Sequence, residues 1–223
     1  MSLIQHAVIM AAGRGQRMMP LTDAMPKPMA PYNGSTLIAD GISKIIRRIE
    51  KVHVTVGYKK AMLAKHVIEH GASSVFNTDG QPNSWWVFNT LLKHLDEPVC
   101  VLTCDNVVEI DIDLLEADYL KLDQPACMLV PVVPVAGLEG DYIFHRDHRV
   151  TRLSRDTPSE IYCSGIQVLN PYRVNQLVRP GGDFYSLWDQ LIEQGQLCVS
   201  SIYPKKWTAV DTLEHLMLLN CPQ

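Results

Sequence analysis

Gly13 and Gly15 flank Arg14 in a segment that continues with Arg17 and ends in Pro26-Lys27-Pro28. The whole stretch, AAGRGQRMMPLTDAMPKPM from Ala11 to Met29, follows the short apolar run HAVIM at His6–Met10. Glycines at this spacing let a backbone pass close to a bulky anion and present N–H groups to it. Two arginines and a lysine add fixed positive charge. An apolar strand that runs into such a loop suits the handling of phosphate. The spacing is not that of a P-loop, which requires Gly-Lys-Ser/Thr at a helix start. It is not the dinucleotide fingerprint either, because Met18 stands where the third glycine belongs. Farther along, the apolar run Val99–Thr103 ends in Cys104-Asp105-Asn106. A carboxylate at the carboxyl end of a parallel strand points into the crevice where ligands sit, and is a natural Mg²⁺ ligand.

These groups need a scaffold, and the chain of 223 residues is long enough to bury a sizeable core. Strand signals at Ala7–Met10, His53–Val56, Ser74–Phe76 and Val99–Thr103 alternate with helical patterns at Thr36–Ile49, Met62–Glu69 and Trp86–Leu95. In the last, Phe88, Leu91, Leu92 and Leu95 predict one apolar face. This alternation predicts an α/β sheet with parallel strands. The second half is richer in strand signals, at Cys127–Val133, Asp141–Phe144, Val150–Leu153, Ile161–Val168 and Cys198–Tyr203, with a hairpin turn at Asp147-His148. Helices are expected at Pro171–Leu177, Phe184–Gln194 and Leu213–Leu219. No Gly-, Ser- or Pro-rich linker divides the halves. One domain over residues 1–223 is therefore expected, with a nucleotide-binding half to about residue 110 and an acceptor-binding half beyond it.

Composition excludes several classes. A net charge of −4, with no basic stretch carrying interleaved aromatics, argues against a nucleic-acid partner. The apolar start is too short for a membrane span, and the following Gly-Arg-Gly-Gln-Arg is unlike a signal peptide. The six cysteines form no Cys-x-x-Cys pair and lie mostly in apolar runs. Reduced thiols in a cytoplasmic protein are expected, without a zinc site.

The segment AAGRGQRMMPLT…PKPM resembles the signature of the nucleotidyltransferases that activate sugar 1-phosphates and phosphorylated alcohols. The resemblance implies a Rossmann-like three-layer α/β sandwich with a mixed central sheet, of the nucleotide-diphospho-sugar transferase type. It implies Mg²⁺-dependent transfer of a nucleotidyl group from an NTP to a phosphorylated small molecule, with release of pyrophosphate. Ala11, Ala12, Gly13, Arg14 and Gly15 would hold the triphosphate. Arg17 would sit on the β and γ oxygens, and Lys27 on the α-phosphate or the acceptor phosphate. The segment Trp207–Thr212 before the last helix resembles the family stretch in which an aspartate precedes threonine. It makes Asp211 the second metal carboxylate beside Asp105; an Asp or Thr just before a helix is equally an N-cap, and both roles are met if Thr212 caps while Asp211 binds metal. Two carboxylates in one crevice require a counter-charge, and Mg²⁺ is the candidate.

Sugar-activating members carry Gly-Thr-Ala or Gly-Thr-Gly-Gly where this chain has Gly80-Gln81-Pro82-Asn83-Ser84-Trp85-Trp86. That difference, with Cys104-Asp105-Asn106 in place of Gly-Asp, resembles the phosphocholine cytidylyltransferase branch and favours CTP with a phospho-alcohol acceptor. Gln81 and Asn83 either hydrogen-bond the base or serve as turn and cap residues. Acceptor contacts are expected from Glu160, Ser164, Gly165 and Trp207. Trp85, Trp86, Tyr185, Trp188 and Trp207 either form a cage for a quaternary ammonium or pack in the core. The alternatives are a guanylyl-, uridylyl- or thymidylyltransferase for sugar 1-phosphates, or a silent nucleotide-binding subunit. Products feeding polysaccharide or cell-surface decoration are implied by resemblance. Self-association into a homo-oligomer stays open.

Overall fold

The computed structural model describes residues 2–135, 138 and 140–221. Its strands are β1 His6–Met10, β2 Pro31–Tyr32, β3 Ser35–Thr36, β4 Lys51–Val56, β5 Ser74–Asn77, β6 Val99–Thr103 and β7 Asn106–Glu109. They continue with β8 Cys127–Val132, β9 Tyr142–Arg146, β10 Arg149–Ser154, β11 Tyr162–Leu169, β12 Leu197–Val199 and β13 Lys206–Ala209. The helices are α1 Leu21–Ala24, α2 Leu37–Ile45, α3 Lys60–Glu69, α4 Trp85–Asn89, α5 Ile112–Lys121, α6 Pro171–Leu177, α7 Phe184–Glu193 and α8 Leu213–Asn220.

Nine strands form one sheet in the order β5-β4-β1-β6-β11-β8-β12-β10-β9. The β5-β4-β1-β6 half is parallel, and β11 joins it antiparallel to β6. The far end curls, because β9 pairs with β10 and also meets β11 at Tyr142–Tyr162. Strand β1 explains why HAVIM is apolar almost throughout. Ala7 and Ile9 face a core built with α2, α3 and α5, while Val8 faces a second core built with α4, α6 and α7. A parallel strand covered on both faces has no solvent side on which to place polar residues. The mixed, helix-covered sheet is the expected fold class.

Local departures from the sequence reading have physical causes. The helix expected over Trp86–Leu95 breaks at Thr90, whose backbone is extended. The Thr90 hydroxyl donates to the Trp86 carbonyl at 2.7 Å and accepts from Leu92 N at 3.3 Å, which favours a fresh turn over continuation. The register rotates there, so Leu91 is 86% exposed instead of lining the apolar face. Helix α2 stops at Ile45 because the Ile45 carbonyl accepts from both Arg48 N and Ile49 N, tightening the chain into a turn. Strand β12 ends at Val199 because the next residues turn to Asp118. The Asp118 carboxylate accepts from both hydroxyls of Ser200 and Ser201 at 2.6 Å and from Ser201 N at 2.8 Å. Burial alone would raise that carboxyl's pKa; these bonds hold it below its ordinary value. The hairpin at Asp147-His148 forms as expected, with positive φ at both residues.

On the other core face, at the amino-terminal side of the parallel sheet, His6 Nδ1 lies 2.9 Å from His53 Nε2, and His53 Nδ1 lies 2.7 Å from Ser74 Oγ. Both residues are 8% exposed, with Lys51, Glu50 and Glu97 the charged groups facing them. Burial, then the facing His6 and Lys51, pushes the His53 pKa down to about 4. The folded pair therefore stays neutral where the unfolded chain takes up protons. This stability is complete above the ordinary histidine pKa of about 6.5 and is lost as pH falls from there towards 4, by about 3 kcal/mol at most. Urea midpoints of His53→Leu should fall less steeply over that window than those of the native protein. An unchanged acid slope in the variant would remove the pair as its cause.

Candidate active site

The strand order reverses around β1, which lies between β4 and β6. At such a switch point the loops leave the sheet in opposite directions and open a crevice at the carboxyl ends of the strands. Here that crevice is a cleft of about 640 Å³. Its floor includes Thr55, Met10 and Thr103, which share one register row across β4, β1 and β6, and Thr78 just beyond β5. The sequence pattern does not single out these threonines. Their shared signal is position, at or just past the carboxyl end of a parallel strand.

The Gly-rich loop arches over this floor. Ala11 is buried and its N–H donates to Thr55 Oγ1 at 3.1 Å, so it shapes the loop root rather than lining the cleft. Ala12, Gly13, Arg14, Gly15, Gln16 and Arg17 do line it. The Ala12 carbonyl accepts from Tyr58 N at 3.0 Å. That approach requires Gly57, where an added Cβ would lie 2.6 Å from the Ala12 carbonyl oxygen. Gly15 has φ +66°, and a Cβ there would meet Lys27 Cβ at 2.6 Å. The absent side chain thus lets the Lys27 stem lie against the loop. Gly15→Ala adds both a left-handed strain and this clash, so nucleotide affinity should fall about tenfold while the fold persists. Equilibrium titration with NTP checks this. Arg14 lies over the Tyr58 ring at 5.4 Å, and both arginines remain exposed at the rim.

The carboxylates arrive on a separate two-stranded ribbon. Strands β7 and β13 pair antiparallel, with Asn106 opposite Ala209, and Val210 N donates to the Asp105 carbonyl at 2.8 Å. Asp105 precedes β7 and Asp211 follows β13, so one ribbon end presents both. Thr212 Oγ1 accepts from His215 N and caps α8, leaving the Asp211 carboxylate free for the cleft. Asp111 caps α5, accepting from Asp113 N and Leu114 N.

Lys27 joins the two carboxylates. Its ammonium donates to Asp105 Oδ2 and Asp211 Oδ1 at 3.1 Å each, and Arg17 adds a 3.0 Å ion pair to Asp211 Oδ1. The lysine is 8% exposed and sits in a short 3-10 turn after Pro26. Burial alone would lower its pKa. Asp105 and Asp211 outweigh burial and hold it above the ordinary lysine value, so Lys27 stays charged. The counter-charge that sequence reasoning assigned to Mg²⁺ is therefore also supplied by the chain itself. Cys104 lies beside them, and burial with the neighbouring Asp105 pushes its thiol pKa up, away from a reactive thiolate.

The donor set suits one small hard cation. Two carboxylates within reach of a single ammonium, open to a cleft ringed by cationic groups, match the way Mg²⁺ binds through one or two carboxylates plus substrate phosphates. Among the described residues no cluster of three or more His, Cys, Asp or Glu is placed to hold a metal unaided.

Other expected contacts scatter. Gln81 and Asn83 reach the cleft wall, and Asn83 Oδ1 also accepts from Phe184 N at 2.8 Å at the start of α7. Glu160 opens instead onto a different surface hollow with Phe144, His145 and Tyr203. The Ser164 hydroxyl is buried and donates to the Val130 carbonyl at 2.7 Å, so it faces away from the cleft. The tryptophans do not assemble a cage. Trp86 is fully buried against Phe184, Trp188 Nε1 donates to Gln167, and Trp207 packs edge-on to Tyr162. All six cysteines are unpaired, and no helix among the described residues is long and apolar enough to cross a membrane.

The nucleotidyl transferase family matches residues 6–123. A 2-aminoethylphosphonate cytidylyltransferase from Lancefieldella rimae is 45% identical over 198 residues, covering 84% of this chain and 78% of that one. A bifunctional protein GlmU from Methanococcus aeolicus is 27% identical over 115 residues, and this chain spans 28% of its length. Among solved structures, a CTP:phosphocholine cytidylyltransferase from Streptococcus pneumoniae superposes with a TM-score of 0.74 at 19% identity, covering 96% of each chain.

Proposed function

We propose that this chain, which belongs to the nucleotidyl transferase family, moves a cytidylyl group from CTP to a small amino-alkyl phosphonate or phosphate and releases pyrophosphate. The observation that carries this reading is the extent of the likeness to the aminoethylphosphonate enzyme, which reaches into both halves of the chain. The replacement of the sugar-type Gly-Thr run by Gly80–Trp86 supports the same choice of acceptor.

An oxygen of the ionised acceptor attacks the α-phosphorus of CTP in line. The new P–O bond forms as the bond to the bridging oxygen breaks, and that electron pair leaves with pyrophosphate. An ionised phosphonate oxygen carries no proton, so the step needs no general base, and the described cleft lining contains no histidine. What the step needs is positioning and charge neutralisation. Arg14 and Arg17 at the rim would hold the β and γ oxygens, with N–H groups of the Gly-rich loop. Lys27 would face the charge that grows around the α-phosphorus. Asp105 and Asp211 would hold Mg²⁺, which when bound would supply fixed positive charge against the negative charge of the reacting phosphates.

Pyrophosphate release over four NTPs, against 2-aminoethylphosphonate, phosphocholine, phosphoethanolamine and several sugar 1-phosphates, tests the reading. Release should concentrate on CTP with an amino-alkyl acceptor and require Mg²⁺. Release with UTP and a sugar 1-phosphate alone would replace the acceptor assignment. Silence throughout would leave a nucleotide-binding protein without the activity.

A further inference from the structure

Ser164, Gly165 and Trp207 resemble acceptor contacts in sequence, yet they converge on one hydrogen-bonded knot behind the carboxylates. The Ser164 carbonyl accepts from Asn106 Nδ2 at 2.7 Å and from Trp207 Nε1 at 2.8 Å. Asn106 Nδ2 also lies 2.7 Å from Thr103 Oγ1 at the end of β6. The two donors come from opposite strands of the ribbon, Asn106 from β7 and Trp207 from β13. Asn106 directly follows Asp105 in the chain, and Trp207 lies four residues before Asp211. One carbonyl thus takes a side-chain bond from each strand of the element that carries both acids.

The local backbone is built for this. Strand β11 breaks register with β8 between Cys163 and Gln167, and Gly165 there has φ +81°. A Cβ on Gly165 would lie 2.7 Å from Thr103 Oγ1 and 2.8 Å from Asn106 Nδ2, inside the knot itself. The ribbon is not part of the nine-stranded sheet. The knot is therefore a direct polar tie from ribbon to sheet next to the cleft.

We propose that Asn106 and Trp207 are positioning residues that fix the Asp105–Asp211 pair against the cleft floor through the Ser164 carbonyl, with Gly165 making room for them. This rests on the reading of the two acids as the metal carboxylates. Removing either donor loosens the ribbon's tie to the sheet while the β7–β13 pairing persists, and the acids shift relative to the cleft floor without losing their charge. Residues that orient metal ligands at second hand are worth about tenfold or more in metal affinity.

The test is Mn²⁺ binding followed by electron paramagnetic resonance, with an unreactive CTP analogue present, for native protein, Asn106→Ala, Trp207→Phe and the double variant. Phenylalanine keeps an aromatic ring beside Tyr162 but removes the N–H donor together with the five-membered half of the indole, and thermal melts verify that the fold persists. Each single variant should bind Mn²⁺ about tenfold more weakly. The double variant should lose less than the product of the two, because both donors end on one oxygen. Folded single variants with native Mn²⁺ affinity would overturn the proposal, as would a loss confined to acceptor binding, which would return Trp207 to the acceptor. Native protein that takes up no Mn²⁺ with the analogue bound would instead overturn the assignment of the acids, a separate result.

Discussion

Lys27→Met is expected to lower kcat about a thousandfold while leaving a folded protein. Among the described residues the Lys27 ammonium is the cation placed between both acids, so its removal deletes charge at the point where the α-phosphate of the transferred nucleotidyl group would sit. Losing a single preorganised donor of this kind lowers turnover about a hundred- to a thousandfold. The change also leaves Asp105 and Asp211 facing each other, with only Arg17 still on Asp211. A stability loss of about 1–2 kcal/mol should accompany it, less than for a sealed ion pair because the Asp105 side chain keeps 34% exposure. Lys27→Arg should not restore the rate. The stem is confined against Gly15, and the wider guanidinium cannot occupy the same point. Single-turnover rates beside a thermal melt separate the two effects. A native rate in folded Lys27→Met would sink the mechanism.

Asp105→Asn should be nearly as severe, for a different reason. The amide keeps the size and can still accept from Lys27, but it removes a negative charge from the proposed metal site. Turnover should fall a hundredfold or more, and the Mg²⁺ concentration for half-maximal rate should rise in parallel. Asp211→Asn should behave alike, with an additional loosening of Arg17. Activation curves against Mg²⁺ for both variants decide this. Curves that superpose on the native one would take the carboxylates out of metal binding.

Much of this site is legible in the sequence because its chemistry is local. Gly13 through Arg17 and Pro26-Lys27-Pro28 sit in one loop, and glycine, arginine and lysine each have few uses at such a spacing. Asp105 is legible from the strand it ends. Lys27 as the partner of both acids is not, since that contact spans 78 and 184 residues. The roles of Gly57 and Gly165 are hidden for the same reason: each is required by an atom far away in the chain, the Ala12 carbonyl in one case and Thr103 and Asn106 in the other. Trp207 shows how residue type misleads. Tryptophan invites a ring-face explanation, while its N–H is the group committed here. In the scaffold, the helical patterns fall near α2, α3, α6, α7 and α8, but the periodicity over Trp86–Leu95 placed Leu91 on the wrong side, because a single threonine hydroxyl competed with the helix.

The pairing of β7 with β13 carries a consequence for how the protein matures. Its partners lie about a hundred residues apart, so closing that loop waits until most of the chain has collapsed. The Gly-rich loop and the first parallel strands rely on nearer neighbours and can organise earlier. During synthesis the nascent protein would therefore acquire a place for triphosphate before it acquires the second acid. Catalytic competence would wait until β13 and α8 have docked, and a chain stalled short of β13 would hold nucleotide without spending it.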